Sequence, residues 1–429
     1  MKRVYLRVTA TSSLAIRSDH AEGGVKTTQY IPGATLLGSL AASHRMLRPE
    51  QEDEFVKLFL NEQVHFPHLY PAGFNEGSLR TSDLPGSNLP VMPIPKTART
   101  CKRFPGFQLV PGEEAEEERH GVRDSLLDWA IFSLLDNEQS AIAPLLSPFS
   151  SHDTCTYQQG KDSDVRCNQV MDHVGGFYRE SNHQRMKAKA DTRLQTRTGI
   201  NREWGVVEES ILYNRQVFDE NTCFRGDVLL PDELTDTFKN FVEEATKEDV
   251  IRVGTGRTRG LGCVQLDVRD AQESKAADFA DRLCTFDAAM RKQAQEAGVR
   301  QLDPFYFAIT LQSPTILCDA FLRYQKTIDL ASLPELSGLC ASYTFQRVYQ
   351  SVGIQRITGW NELWGMPRPN DYALEMGSTL LFACKQQPQN NDLIQALRTL
   401  EEMGIGRRRS EGFGRISISD PFHLEREQA

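Results

Sequence analysis

No stretch of this chain comes near the roughly eighteen consecutive apolar residues that a membrane-spanning helix needs, so no such helix is expected. The opening Met1-Lys-Arg-Val-Tyr-Leu-Arg7 has no apolar core, which leads us to expect no secretory signal and a cytoplasmic location. The nine cysteines are an odd, scattered set with no Cys-x-x-Cys pair, which argues for reduced thiols rather than a disulfide framework. An excess of positive charge is also missing. The formal net charge is −9, which taken as a single number disfavours nucleic acid. Two nucleotide signatures are incomplete as well. Gly33 and Gly38 have P-loop spacing, but Ser39 stands where the lysine belongs; and at a Gly-x-Gly motif further on, Arg259 replaces the third glycine of a dinucleotide fingerprint. Nucleotide-binding folds are therefore set aside.

The charge that is present is unevenly spread. Residues 113–118 carry five glutamates, read as a solvated loop. Arg179 to Arg202 carries seven cations, among them Arg193, Arg197 and Arg202, against Glu180 and Asp191. Local patches of this kind decide where a phosphate chain binds. The most informative stretch is Gly254-Thr-Gly-Arg-Thr-Arg-Gly-Leu-Gly262, because a variant recurs as Gly404-Ile-Gly-Arg-Arg-Arg-Ser-Glu-Gly-Phe-Gly414, read as two residues longer in the middle. Glycines let backbone N–H groups approach an anion without Cβ interference, and the interleaved arginines supply planar donors suited to phosphate. The nominated RNA-binding residues are Gly254, Gly256, Arg257, Arg259, Gly260 and Gly262 in the first loop, and Arg407, Arg408 and Arg409 in the second. Glu411 inside the second copy suggests an interface with a partner subunit as its alternative use.

Each loop follows a helical pattern and precedes a short alternating run, and the same order recurs from Phe305 onward. Val4, Leu6 and Val8 alternate as a strand, as do Phe305, Phe307, Ile309 and Leu311. Leu234, Phe238, Phe241, Val242 and Ala245 make an amphipathic helix, matched by Leu393, Ile394, Leu397 and Leu400. A duplication this long means paired domains. We expect a first domain over 1–270, with an irregular insertion at about 61–190 and an extended arm at about 192–217. A connector helix over 271–300 and a second domain over 301–429 follow. Pro32 and Gly33 open a helix whose N-terminus, with Thr35, is a candidate phosphate contact, and Lys26 lies in the polar loop before it. In the insertion, Cys101, His120, Cys155 and Cys167 form a set suited to a structural zinc, with His152, Asp164 and His173 as alternates; unliganded polar loop residues are the other reading.

The paired glycine loops, the Ile31-Pro-Gly-Ala-Thr-Leu-Leu-Gly-Ser-Leu-Ala opening and the Arg197-Thr-Gly-Ile-Asn-Arg…Glu208-Glu-Ser-Ile-Leu-Tyr segment together resemble the RAMP superfamily of CRISPR-associated proteins, closest to the RAMP subunit of type III-D effector complexes. The resemblance implies an α+β fold of two tandem ferredoxin-like (RRM-like) domains, with each glycine loop between the second helix and last strand. It also implies a subunit that holds the crRNA 5′ tag, caps the backbone and contributes to antiviral defence. Its partners would be crRNA, other RAMP backbone subunits and the large polymerase-like subunit, with target RNA met indirectly. The arm would correspond to a thumb hairpin. Trp360 and Trp364 would be placed to stack on RNA bases, or else serve as core. No cofactor is required on this reading, and a structural zinc is an addition to it rather than a requirement. Some family members cleave the crRNA precursor without metal, so a metal-independent endoribonuclease is the alternative. His20, Lys26, Tyr30 and His44 are its candidates, although no spacing fixes a catalytic constellation among them.

Overall fold

The computed structural model describes residues 1–17, 27–72, 91–108, 118–137, 154–157, 167–181, 184–200, 207–271, 276–333, 336, 342–361, 365–388 and 392–424. His20, Lys26, His152, Asp164, Arg202 and Trp364 lie outside them. The elements that matter run in chain order as β1 (Lys2–Ala10), α1 (Gly33–Leu47), β2 (Tyr70–Pro71), α2 (Leu126–Asn137), β3 (Thr192–Ile200), β4 (Val207–Phe218), β5 (Cys223–Leu230), α3 (Thr235–Lys247), β6 (Val264–Asp270) and α4 (Ala276–Glu296). The second half contributes β7 (Phe305–Leu311), β8 (Phe345–Ser351), β9 (Thr379–Cys384), α5 (Asp392–Met403) and β10 (Ile416–Ile418).

The first sheet has the order β6-β1-β5-β2 and the second β8-β9-β7-β10, antiparallel throughout. Numbered within each half, these are 4-1-3-2 and its reverse, which is the ferredoxin-like βαββαβ topology written twice. The fold is α+β with two tandem ferredoxin-like units, and each glycine loop lies between a helix and the last strand of its sheet.

Alternation produces the first core. Val4, Leu6, Val8 and Ala10 of β1 face Phe224, Val228 and Leu230 of β5, beneath Leu36 and Leu40 of α1 and Phe238, Phe241 and Val242 of α3. In the second sheet, by contrast, β7 and β9 are buried at every residue. One face packs Phe307, Ile309 and Leu380 against Leu393, Leu397 and Leu400 of α5. The other packs Tyr306, Ala308, Leu381 and Ala383 against Leu126, Ala130 and Ile131 of α2 and Phe286, Met290 and Ala294 of α4. The helical spacing of those last three places them on one stripe. The open sheet face by which RRM-like folds commonly read RNA is therefore covered in the second half.

Three expectations need correction. Strand β2 falls inside the stretch read as insertion, because a two-residue edge strand leaves no periodic signature. The insertion is also more regular than its proline and glycine content suggested. Val91–Pro93, Phe177–Ser181 and Gln184–Ala188 form one three-stranded sheet, and Ala98–Cys101, Val122–Asp124 and Met171–His173 form another. The third correction is to the pairing of the two glycine loops.

Candidate nucleic-acid interface

The two glycine loops have the same length and conformation, offset by two residues from the pairing expected. Val253 N–H donates to Gly262 O, and Ile405 N–H to Gly414 O, each at 2.8 Å. Thr255 N–H reaches Ala15 O and Arg407 N–H reaches Ile316 O, while the amides of Gly262 and Gly414 reach Ser13 O and Pro314 O. Gly254 thus corresponds to Gly406, Gly256 to Arg408, Arg257 to Arg409, Arg259 to Glu411 and Gly262 to Gly414. Gly404 is not the first glycine of the second loop. Its N–H bonds Leu400 O and its φ of 72° ends α5, the usual C-terminal use of glycine.

The glycines are required by geometry at two points above all. Gly254 has φ 85°, and a Cβ there would overlap the Ala15 carbonyl oxygen; Gly262 has φ 92°, and its Cβ would stand 2.5 Å from Val253 O. Between them a 3-10 turn, Arg257–Arg259, is bracketed by left-handed Gly256 and Gly260. Arg259 is exposed and Arg257 half-buried.

The arm stands against this loop. On one face of the β3–β4 hairpin the register places Arg193 and Gln195 opposite Val217 and Arg215. Arg193 Nη2 donates to Ser13 Oγ at 2.8 Å, and its guanidinium also meets Asp219 and Glu220 at 3.4 and 3.5 Å. Arg197 Nη2 reaches Gln195 Oε1 at 3.4 Å. Arg215 points into the glycine loop, with Nη1 2.6 Å from where a Gly256 Cβ would be. That nitrogen is buried and has no hydrogen-bond partner among the described residues. A buried guanidinium nitrogen in this state is costly unless a ligand completes it. Beneath lie Ala15, Val217 and Leu261. Exposed Arg17 extends the positive surface. Of the sequence-chosen residues, Gly254, Gly256, Arg257, Arg259, Gly260 and Gly262 form this loop and Arg193 reaches Ser13 beside it, while Arg197 lies further along β3. Arg17 and Arg215 were missed; Arg17 borders a polar run, and Arg215 lies inside β4, where no spacing marks it.

The second loop is used differently. Arg408 adopts φ 58° where the first loop has glycine, and it pairs with Asp371 at 2.7 Å and Glu411 at 2.7 Å. Arg368 also meets Glu411 at 2.7 Å. Arg409 turns inward toward Gly404 O, and Arg407 is exposed. The loop packs on the first half rather than leaving its body free. Phe66 N–H donates to Ser410 O at 3.0 Å, Arg415 donates to Asp227 O, and Tyr70 donates to Gln312 O.

Gly33 belongs to this seam. Its N–H donates to His68 Nδ1 at 2.8 Å, and a Cβ would overlap Glu411 O and stand 2.5 Å from Phe66 O. Burial, with Arg415 and Arg408 nearby, pushes His68 down to about 3, so it is a neutral acceptor. The helix N-terminus expected to meet phosphate is thus closed by an imidazole at Gly33. Thr35, half-buried in the first turn, gives its N–H to Pro32 O. Trp360 lies in a two-residue strand paired with Met366–Pro367.

Of the acid–base candidates, His44 is buried among Phe55, Phe59 and Phe241, with Nε2 2.9 Å from Glu54. Tyr30 packs against His68, Tyr70 and Phe177.

In the insertion, Cys101, His120, Cys155 and Cys167 converge, with one ligand atom from each lying within 4.8 Å of the others; the first three are buried. Cys101 and Cys167 sulfurs are 3.9 Å apart, close to the ~3.8 Å edge of a tetrahedron with Zn–S bonds of about 2.3 Å. His120 Nδ1 lies 3.3 Å from Cys155 Sγ, and its Nε2 stands 3.5 Å from the Glu118 carboxylate. Burial, with Cys101 and Cys167 adjacent, pushes the Cys155 thiol up to about 12, a penalty that a bound dication reverses. The donor set fits zinc. His173 is on the strand Met171–His173, outside this cluster.

A model of the RAMP superfamily matches residues 7–265, more than half of the 429-residue chain. The chain belongs to the RAMP superfamily. No curated protein matches it in sequence. Among solved structures, a chain of the type III-B Cmr-beta complex bound to cognate target RNA and AMPPnP aligns over 93% of this RAMP chain and 89% of its own, at 11% identity and a TM-score of 0.38. A Cas6 product complex aligns over 97% and 99%, at 8% identity and a TM-score of 0.38. Likenesses this loose add nothing to the sheet orders above. No helix among the described residues of this RAMP protein is long and apolar enough to cross a membrane.

Proposed function

We propose that this RAMP protein is a non-catalytic RNA-binding subunit of a type III CRISPR ribonucleoprotein effector, of the III-D kind, that holds the crRNA 5′ tag and caps the backbone. Its partners on this reading are crRNA, neighbouring backbone RAMPs and the large polymerase-like subunit. The observation that carries the reading is the convergence of Arg193, Arg215, Arg257 and Arg259 at the base of the arm, with the Arg215 Nη1 donor left open beside Gly256. A phosphodiester there would complete Arg215 and meet a cationic surface that the chain's overall charge of −9 does not reveal.

The absence of catalysis is part of the proposal, and the caging of His44 among aromatic rings supports it. Zinc at Cys101, His120, Cys155 and Cys167 would act structurally, tying segments 154–157 and 167–170 to the strand Ala98–Cys101. The test is to sequence the RNA that co-purifies with the protein from its native source. A population with one shared 5′ end is expected. Random 5′ ends, or no RNA at all, would remove the tag-holding role.

A further inference from the structure

The surroundings of the first glycine loop recur around the second, with different side chains. Residues 314–318 stand where 13–17 stand. Pro314 O and Ile316 O receive the second loop's amides as Ser13 O and Ala15 O receive the first's, and the bridge Cys318↔Tyr324 matches Arg17↔Thr27. A hairpin of Ile354–Ile357 and Asp371–Leu374 follows the second strand of its sheet, as the arm follows the second strand of the first. The loop-to-arm contact is repeated too. Thr27 N–H reaches Gln216 of the arm, while Tyr324 Oη donates to Asp371 of the hairpin at 2.8 Å.

Where the first site presents arginines, the second presents rings. Phe321 is 81% exposed, Tyr372 50% and Tyr324 39%. Tyr324 and Tyr372 meet edge-to-face, with centroids 5.6 Å apart. Arg356 sits directly across the hairpin from Tyr372 and is exposed, as are Arg407 and Lys326. Arg323 lies 5.3 Å from the Phe321 ring centroid. The nearby acids are already engaged: Asp319 by Arg323, Asp371 by Tyr324 and Arg408. Rings left in water and framed by cations make up the composition of a single-strand binding surface, because every base offers a face to stack. The surrounding cations favour a polyanion over an apolar protein surface.

We propose that Phe321, Tyr324 and Tyr372, with Arg356 and Arg407 beside them, form a base-stacking platform for single-stranded RNA on the second half. The proposal rests on the reading of the chain as an RNA binder, and assigns it a second site separate from the first glycine loop.

The experiment is fluorescence anisotropy of an end-labelled single-stranded oligouridylate titrated with the full-length protein. Phe321→Ala and Tyr372→Ala each weaken binding about tenfold per base left unstacked, without flattening its salt dependence, since no cation is removed. Tyr324→Phe keeps its ring and retains affinity. Thermal melting confirms that these exposed substitutions leave the fold intact. If the ring variants bind as the parent does while Arg257→Ala with Arg259→Ala weakens binding, the platform is refuted and the RNA reading stands. If neither set changes binding, both fail. Ring variants that keep RNA but lose a co-purifying protein subunit would make this a protein-docking surface and overturn the proposal.

Discussion

Replacing Arg408 by alanine tests how the second glycine loop is held. Arg408 adopts a left-handed conformation that costs a non-glycine residue about 1–2 kcal/mol, and its guanidinium spans Asp371 and Glu411 while lying 4.8 Å from the Phe413 ring centroid. The three charged side chains are each about a fifth exposed. Removing the cation therefore falls between a surface pair, worth under about 1 kcal/mol, and a buried one, whose breakage costs about 3–5 kcal/mol. Glu411 keeps Arg368, so we expect a loss of about 2 kcal/mol for Arg408→Ala. Arg408→Gly should be milder by about 1 kcal/mol, because glycine accepts the positive φ. The effect has a pH signature. Burial raises Glu411, but Arg408 and Arg368 outweigh it and hold the carboxyl below its ordinary value. A carboxylate depressed in the folded state contributes stability that is complete above its unfolded pKa and disappears as pH falls through the folded one. Urea unfolding at neutral pH and below pH 4 measures this. The gap between parent and Arg408→Ala should narrow in acid. An alanine variant as stable as the parent, or a gap independent of pH, would refute the account of this loop.

Two further outcomes follow from the same geometry. Elemental analysis of protein purified without chelator should find about one zinc per chain, and Cys155→Ser should abolish it and lower the melting temperature; metal-free protein with unchanged melting would reject the site. Gly33→Ala should destabilise the seam between the halves by more than about 2 kcal/mol, since its Cβ meets two backbone carbonyls that cannot rotate away; a neutral result in chemical denaturation would contradict the packing described.

Periodicity made most of the fold legible. The alternation of Val4, Leu6 and Val8 and the helical spacing of Phe238, Phe241 and Val242 follow directly from burying one face of each element. The zinc-type set was legible because ligand chemistry is restrictive, even without Cys-x-x-Cys spacing. The register of the second glycine loop was not. Gly404 serves a helix end, Arg408 occupies a glycine's conformation, and spacing alone cannot tell a C-cap from a loop glycine. Gly33 read as a phosphate contact because helix N-termini attract anions, whereas His68, from a distant segment, already takes its amide. Arg215 escaped notice because its value depends on the hairpin register that brings it to Gly256. The outer face of the first sheet was likewise invisible. Arg7 and Arg225 are direct cross-strand partners beside Tyr5, and burial together with Arg225 pushes Arg179 down to about 10.

The central claim is that the first glycine loop and the base of the arm bind an RNA backbone. It is tested most directly by the affinity of single-stranded RNA measured against salt concentration for the parent and for Arg257→Ala with Arg259→Ala. Removing two phosphate-neutralising arginines should weaken binding to a single strand and flatten the logarithmic slope by about 1.4. Equal slopes and equal affinities for the two proteins would contradict the account.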